Sequence, residues 1–199
     1  ADAHCLFADL LDRNGLPPLW RREPSFATLV RLILEQQVSL RSAAAAFGRL
    51  EARVGVVIPG AIIASTDDEL RADGFSRQKT RYVRGLAGLV EDGTISIPEL
   101  AADPDAARSS LLAVTGIGSW TASCFQLFAL GHPDVWPSGD RALYVSLGRN
   151  LGRDDVPERE EADTLADSWA PHRSSAARML WYDYLGGRSH VDDPGAGFL

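Results

Sequence analysis

The stretch Leu111-Leu112-Ala113-Val114-Thr115-Gly116-Ile117-Gly118-Ser119-Trp120-Thr121-Ala122 reads as helix, tight turn, helix. Its chemistry would be carried by peptide groups rather than side-chain charge. Gly116 and Gly118 remove two Cβ atoms where a turn needs unusual φ and where another backbone must come close. Ile117 between them can anchor the turn in the core. The turn feeds the first turn of the next helix, starting at Ser119, Trp120 and Thr121, where unpaired N–H groups and the dipole make an anion site. A phosphate of DNA suits such a site. Turn carbonyls of Thr115 and Ile117 could hold a monovalent cation, Na+ or K+, that bridges to the same phosphate. An ordinary helix–helix connection has the same local pattern, and both readings stand at this point.

Asp140 follows behind Pro137 and Gly139, at the expected start of a helix. There a carboxylate can cap the helix, or it can stabilise positive charge and position water. The two roles can coexist. Arg141 beside it could contact phosphate or tune the carboxylate, against the default of a surface arginine.

The elements that must hold these groups are helical throughout. Ala3 to Asn14 is amphipathic, with Leu6, Phe7, Leu10 and Leu11 on one side, and ends at Gly15. Pro24-Ser25 is a start signal for an apolar stripe of Phe26, Leu29, Val30, Ile33 and Leu34. Gln36 and Gln37 sit where it ends, and Leu40 to Val54 is Ala-rich. Thr66-Asp67-Asp68-Glu69 caps a short helix stopped by Gly74. Further helices are expected over Arg77–Val90, from Asp103-Pro104, from Trp120 to Leu130, from near Asp140, over Pro157–Trp169 and over Ser174–Leu185. Gly55 to Pro59 is too short to count as a strand. The Gly- and Asp-rich tail from Gly186 is expected to be loose.

The fold expected is all-α, a single module over residues 1–199. Its two helical lobes are residues 25–130, which include the hairpin at 115–119, and residues 1–24 with 131–199. The groove between lobes is the expected place for a site.

The chain has 199 residues, 45% apolar and 24% charged, an ordinary globular balance. No apolar run reaches a membrane span, and no signal-peptide layout precedes the first helix, so a cytoplasmic protein is expected. The start at Ala1 leaves open a processed or truncated end. Cys5 and Cys124 read as reduced, buried thiols. Four clustered cysteines for an iron–sulfur cluster are missing, and the four histidines are scattered, so neither that cluster nor zinc is expected. The net charge of -7 argues mildly against nucleic acid. The acids are concentrated in Asp154 to Asp167, however, and basic residues in Arg71 to Arg84.

With the hairpin in place, three further stretches matter: Ile33-Leu34-Glu35-Gln36-Gln37-Val38-Ser39, Gly74-Phe75-Ser76-Arg77-Gln78-Lys79 and Val135-Trp136-Pro137-Ser138-Gly139-Asp140. Together with the aromatic segment Trp169 to Tyr184, they resemble the helix-hairpin-helix (HhH-GPD) DNA glycosylase superfamily, in family order. Within it the chain resembles the bacterial 3-methyladenine DNA glycosylase II type. The likeness spans most of Pro24 to Leu185. Well-known bacterial members carry an extra N-terminal domain, for which this chain has no room.

The resemblance implies base-excision repair of double-stranded DNA, with an alkylated base flipped out of the duplex and its N-glycosidic bond hydrolysed. It places the catalytic carboxylate on Asp140 and implies a monomer with a nucleoid-associated function. Trp120 stands where bifunctional relatives carry a Schiff-base lysine, so strand cleavage is not expected. Lys79 matches a structural helix start, where contact with the DNA backbone or packing is expected. Trp181, Trp120 and Trp136 could line a base pocket, since a flipped base stacks on aromatics and a cationic alkylated base is attracted to an indole face. Core packing is the reading beside it for each. Cys124 replaces a pocket tyrosine of some relatives. Gln37 takes the position that wedges into the duplex, while Gln36 is expected to bind free helix-end carbonyls. Cys124 and Gln37 also leave room for an oxidised or deaminated base. A second alternative is a DNA-binding module, in which the hairpin grips DNA but no chemistry follows.

Overall fold

In the computed structural model, residues 3–187 are described, and they are helix and connecting loop with no strand among them. They fall into two compact units.

The first unit runs from Arg21 to Leu130. It holds α2 (Phe26–Glu35), α3 (Leu40–Val54), α4 (Pro59–Ala64), α5 (Asp67–Asp73), α6 (Arg77–Glu91), α7 (Ile97–Ala102), α8 (Pro104–Leu112), α9 (Ser119–Phe125) and a π-helical turn, Gln126–Leu130. Local signals set the ends. Ser25 accepts from the Thr28 N–H. Thr66 and Glu69 form a reciprocal capping box. Gly74, at φ +104°, ends α5 in the left-handed region. α2 is the central element: Leu29, Val30, Leu32, Ile33 and Leu34 are all buried, and it packs against α3, α6 and α9. At its end Glu35 is buried between Arg22, at 2.9 Å, and Arg31, at 3.4 Å.

The second unit is built from residues 3–20 and 131–187. It holds α1 (Ala3–Asn14), α10 (Arg141–Asn150), α11 (Arg159–Asp167) and α12 (Arg173–Tyr184). α12 packs on α1 and α10. Its buried Asp183 accepts from Ser146 and Asn150 of α10 and from Arg13 and Asn14 of α1. Burial pushes the Asp183 carboxyl up, but these bonds and the Arg13 charge outweigh it and hold the group below the usual carboxylate range. Trp169 is the middle of an aromatic row, edge-on to Phe7 at 5.2 Å and to Trp136 at 5.3 Å.

The structure corrects the sequence reading at several places. The helix expected to run on to Leu130 is α-helical only to Phe125 and then widens into the π-turn. Two short helices, α4 and α7, lie where none was expected; each has a proline in its first turn, a favoured start. Cys5 is exposed, because it lies on the side of α1 away from Leu6 and Leu10; Cys124 is buried as expected. The loose tail expected from Gly186 falls mostly on residues 188–199, outside the described residues.

Candidate DNA interface and catalytic site

The hairpin is built by three neighbours. Val114 and Ile117 are buried, and the Ile117 N–H closes the turn on the Val114 carbonyl at 3.0 Å. Gly116 takes φ +95°, and a Cβ there would stand 2.6 Å from ring carbons Cδ1 and Cδ2 of Tyr82. The close approach at Gly116 is therefore to an aromatic ring of α6, not to another backbone. Gly118 does not share this need. It has φ −89°, and nothing lies within 4 Å of where its Cβ would be. As N-cap of α9 it makes no side-chain bond to the helix, and its exposed surface leaves the helix start uncovered by side chain.

Gln36 does more than terminate α2. Its Nε2 donates to the Gly116 carbonyl at 2.8 Å and to Thr121 Oγ1 at 2.9 Å. It does bind a carbonyl, but one of the hairpin rather than of its own helix. Thr121 is buried, so its hydroxyl serves this joint and is not presented to solvent. Lys79 Nζ donates to the carbonyls of Leu34 and Gln36 at 2.7 and 2.9 Å. This ammonium closes the C-terminus of α2, as the macrodipole favours. Burial pushes the Lys79 amine down from its ordinary value. Ser119 is held from α8: Arg108 donates to Ser119 Oγ and to Ser123 Oγ, both at 2.9 Å. Gln37, between these anchored residues and α3, is exposed and has φ +56°, a conformation glutamine rarely adopts. Trp120 is half-buried in the first turn of α9, and Cys124 is buried one turn further on.

Asp140 is the N-cap of α10: its Oδ1 accepts from the Leu143 N–H at 3.0 Å, and the residue is half-buried. The capping role read from local pattern is thus present. Arg141, the first residue of α10, is exposed. The loop before Asp140 is tied to the start of α12. Asp134 accepts from Arg173 Nε and Nη2 at 2.8 and 2.9 Å, and Ser174 Oγ accepts from the Val135 N–H at 3.0 Å. The guanidinium of Arg173 holds the Asp134 carboxyl below the usual range.

Trp136 donates its Nε1 to Asp163 at 2.9 Å and packs edge-on against Trp169. Trp181 is only 2% exposed and is one of the largest fully buried side chains. Trp181 is thus packed in the core, whereas Trp136 is half-buried. A shallow depression of about 230 Å³, lined by Arg21, Arg22, Glu23, Ala27, Thr28, Arg31 and Phe47, shares no residue with the candidates above. Its position argues for nothing in the chemistry. Among the described residues no cluster of His, Cys, Asp or Glu could hold a metal ion, and no helix is long and apolar enough to cross a membrane.

The sequence reading missed Tyr82 as the partner of Gly116, Arg108 as the holder of Ser119, and Asp163 and Tyr144 around the Asp140 loop. None had a local signal, since each acts on residues far along the chain or on another element.

Comparison with known proteins fits these features. Residues 30–172 match the HhH-GPD superfamily base excision DNA repair protein family. YfjP of Bacillus subtilis strain 168, whose name assigns it to the DNA-3-methyladenine glycosylases, is 30% identical over 182 residues, covering 86% of this chain and 63% of its own. AlkA of Mycobacterium tuberculosis is 33% identical over 172 residues, 80% of this chain and 33% of its own. The chain thus spans less than two thirds of both relatives. A crystal structure of DNA-3-methyladenine glycosidase from Bacillus halodurans superposes with a TM-score of 0.72 at 32% identity, covering 96% of this chain and 88% of that one. The fold is also that of the Mag1 glycosylase of Schizosaccharomyces pombe, with a TM-score of 0.80 at 24% identity over 89% of this chain and 90% of that one. With a hairpin built on Gly116 and a match reaching across most of its length, the chain belongs to the HhH-GPD superfamily of base excision DNA repair proteins.

Proposed function

We propose that this protein is a monofunctional DNA glycosylase that hydrolyses the N-glycosidic bond of alkylated bases in double-stranded DNA. The observation that carries the reading is Asp140. Its carboxylate is fixed by a helix start and half-buried, at the end of a loop tied to the start of α12, in a chain of the base-excision repair family. Leaving of the base builds positive charge on the sugar, which a fixed carboxylate stabilises while positioning water. The alkylated-base substrate is supported by the names of YfjP and of the Bacillus halodurans structure.

Monofunctional chemistry is supported by two amine arguments. Trp120 cannot form an imine, and the Lys79 ammonium is committed to two carbonyls. The DNA strand would be held by backbone N–H groups of Gly118, Ser119 and Trp120, next to a turn whose Thr115 and Ile117 carbonyls fit a Na+ or K+ ion. The left-handed, exposed Gln37 suits the role of filling the hole left by an extruded nucleotide. Trp120, half-buried, is the tryptophan best suited to meet that base.

The test is release of methylated purines from methylated duplex DNA, followed by separate alkali cleavage of the product. Base loss without nicking is the expected result, and Asp140→Asn should lower the rate roughly 10²–10⁴-fold. Nicking by the protein alone would remove the monofunctional assignment. Binding to abasic duplex without release of any base would make the protein a binding module.

A further inference from the structure

We infer that Asp163 and Tyr144 are positioning residues for Asp140: they form a clamp that sets the loop Trp136–Gly139 and so fixes where the carboxylate points. The inference rests on the reading of Asp140 as the catalytic carboxylate.

Asp163 lies on α11, within the acidic block that charge alone would make a solvated face. Its carboxylate instead collects three donors from the residues around Asp140. Trp136 Nε1 donates to Oδ1 at 2.9 Å, Ser138 Oγ to Oδ2 at 2.5 Å, and the Tyr144 hydroxyl to Oδ1 at 3.0 Å. Tyr144 uses its oxygen a second time, accepting from the Gly139 N–H at 2.6 Å, one residue before Asp140. Arg159, one turn before Asp163 on α11, donates to Ser138 Oγ at 2.9 Å.

Two elements therefore hold the loop at three successive points: residue 136 through an indole, 138 through a hydroxyl, and 139 through its peptide. The Asp140 N–H bonds back to the Pro137 carbonyl at 3.2 Å, so the segment is a closed turn between clamp and helix. Gly139 has φ +87°, a torsion that the Tyr144 bond to its N–H holds in place. Because Tyr144 lies on α10 itself, one turn after Asp140, the clamp joins loop and helix. A rotation of the loop would have to break bonds at both ends. Burial, together with the charge of Asp163, pushes the Tyr144 phenol up, so it stays a proton donor to Asp163 across the range in which the enzyme would work. None of these side chains needs to touch DNA. Their task is to prevent sub-ångström wandering of a carboxylate whose effect depends on where it stands.

The experiment compares wild type with Tyr144→Phe, Asp163→Asn and Asp140→Asn. The readouts are single-turnover release of methylated purine at saturating enzyme, binding to a duplex with a tetrahydrofuran abasic site, and thermal unfolding. A saturating single-turnover rate constant does not fall when part of the preparation is unfolded, so a merely structural role would leave it unchanged. Asn150→Ala, which removes bonds to Asp183 on α12 and to Ser146 on α10, serves as a variant that loses stability without touching the loop.

The expected result is a rate lower by roughly 10–100-fold in Tyr144→Phe and Asp163→Asn, the loss usual for residues that orient a reacting group. Abasic-site affinity should stay within about twofold, and Asn150→Ala should keep the wild-type rate. Tyr144→Phe keeps the packing of the ring and stands as the test if Asp163→Asn fails to fold. Wild-type rates in Tyr144→Phe, with Asp140→Asn inactive, overturn the clamp and leave Asp140 catalytic. A wild-type rate in Asp140→Asn overturns both.

Discussion

Gly116→Ala separates two costs that the hairpin geometry superimposes. At φ +95° any residue with a Cβ is strained, by about 1–2 kcal/mol. The added methyl would also stand 2.6 Å from Cδ1 and Cδ2 of Tyr82, and closer still to Cγ, so ring or turn must shift. Overpacking of that kind costs about 1–3 kcal/mol. The total expected loss is thus about 2–5 kcal/mol, read from urea unfolding. In a Tyr82→Ala background the ring is gone and only the torsional part remains, so Gly116→Ala should cost about 1–2 kcal/mol there. Gly118→Ala is the counterpart: its backbone is extended and the space is open, so stability should move by no more than about 0.5 kcal/mol. If the hairpin amides hold a phosphate, Gly118→Ala should nonetheless weaken binding to abasic duplex. A Gly116→Ala penalty that is the same with and without the Tyr82 ring would refute the steric reasoning. So would a Gly118→Ala penalty as large as that at Gly116.

Two further outcomes are expected. Gln36→Leu removes both bonds that join the end of α2 to the hairpin, leaving the buried Thr121 hydroxyl without its donor; it should cost about 1–3 kcal/mol and speed hydrogen exchange at residues 115–118, whereas unchanged exchange would mean the joint is not what orders the turn. Asp183 has a carboxyl lowered in the folded state, so its stabilisation is present above the unfolded carboxylate range and is lost as pH falls through the folded value: the stability gap between wild type and Asp183→Asn in urea should be full near pH 7 and close progressively below about pH 4, and a gap independent of pH would contradict the assignment.

Much of the fold was legible because its signals are local. The stripe of α2 has a single helical period, and Ser25, Thr66 and Asp103 are side-chain caps with the residue types that capping requires. Asp140 could be placed at a helix start from Pro137 and Gly139 alone, and there its cap is found. What stayed hidden is what depends on partners. Nothing near Gly118 distinguishes it from Gly116, since the difference is the ring of Tyr82, supplied from α6. Asp163 reads as one acid in an acidic run, and only the fold shows that it faces Trp136, Ser138 and Tyr144. The π-turn after Phe125 gives no periodic warning, because Thr121 to Phe128 are buried all round, polar residues included, so the stretch shows no face whose period could shift. Trp181 has the composition of a base pocket and the surroundings of a core.

The unit made of residues 3–20 and 131–187 also sets an order of events at the ribosome. α1 is synthesised first, with Leu6 and Leu10 ready for burial, but α10 and α12 emerge only after more than a hundred intervening residues. Meanwhile the helices of the unit from Arg21 to Leu130 have all emerged, whereas the nascent α1 must wait for α10 and α12, its apolar side open to chaperones. The ties on the loop around Asp140 form late, since Asp163, Arg173 and Ser174 all leave the ribosome after it. A chain stalled or cleaved before α11 would carry the hairpin and the Asp140 cap of α10, but none of the ties that Asp163, Arg173 and Ser174 place on the loop before it.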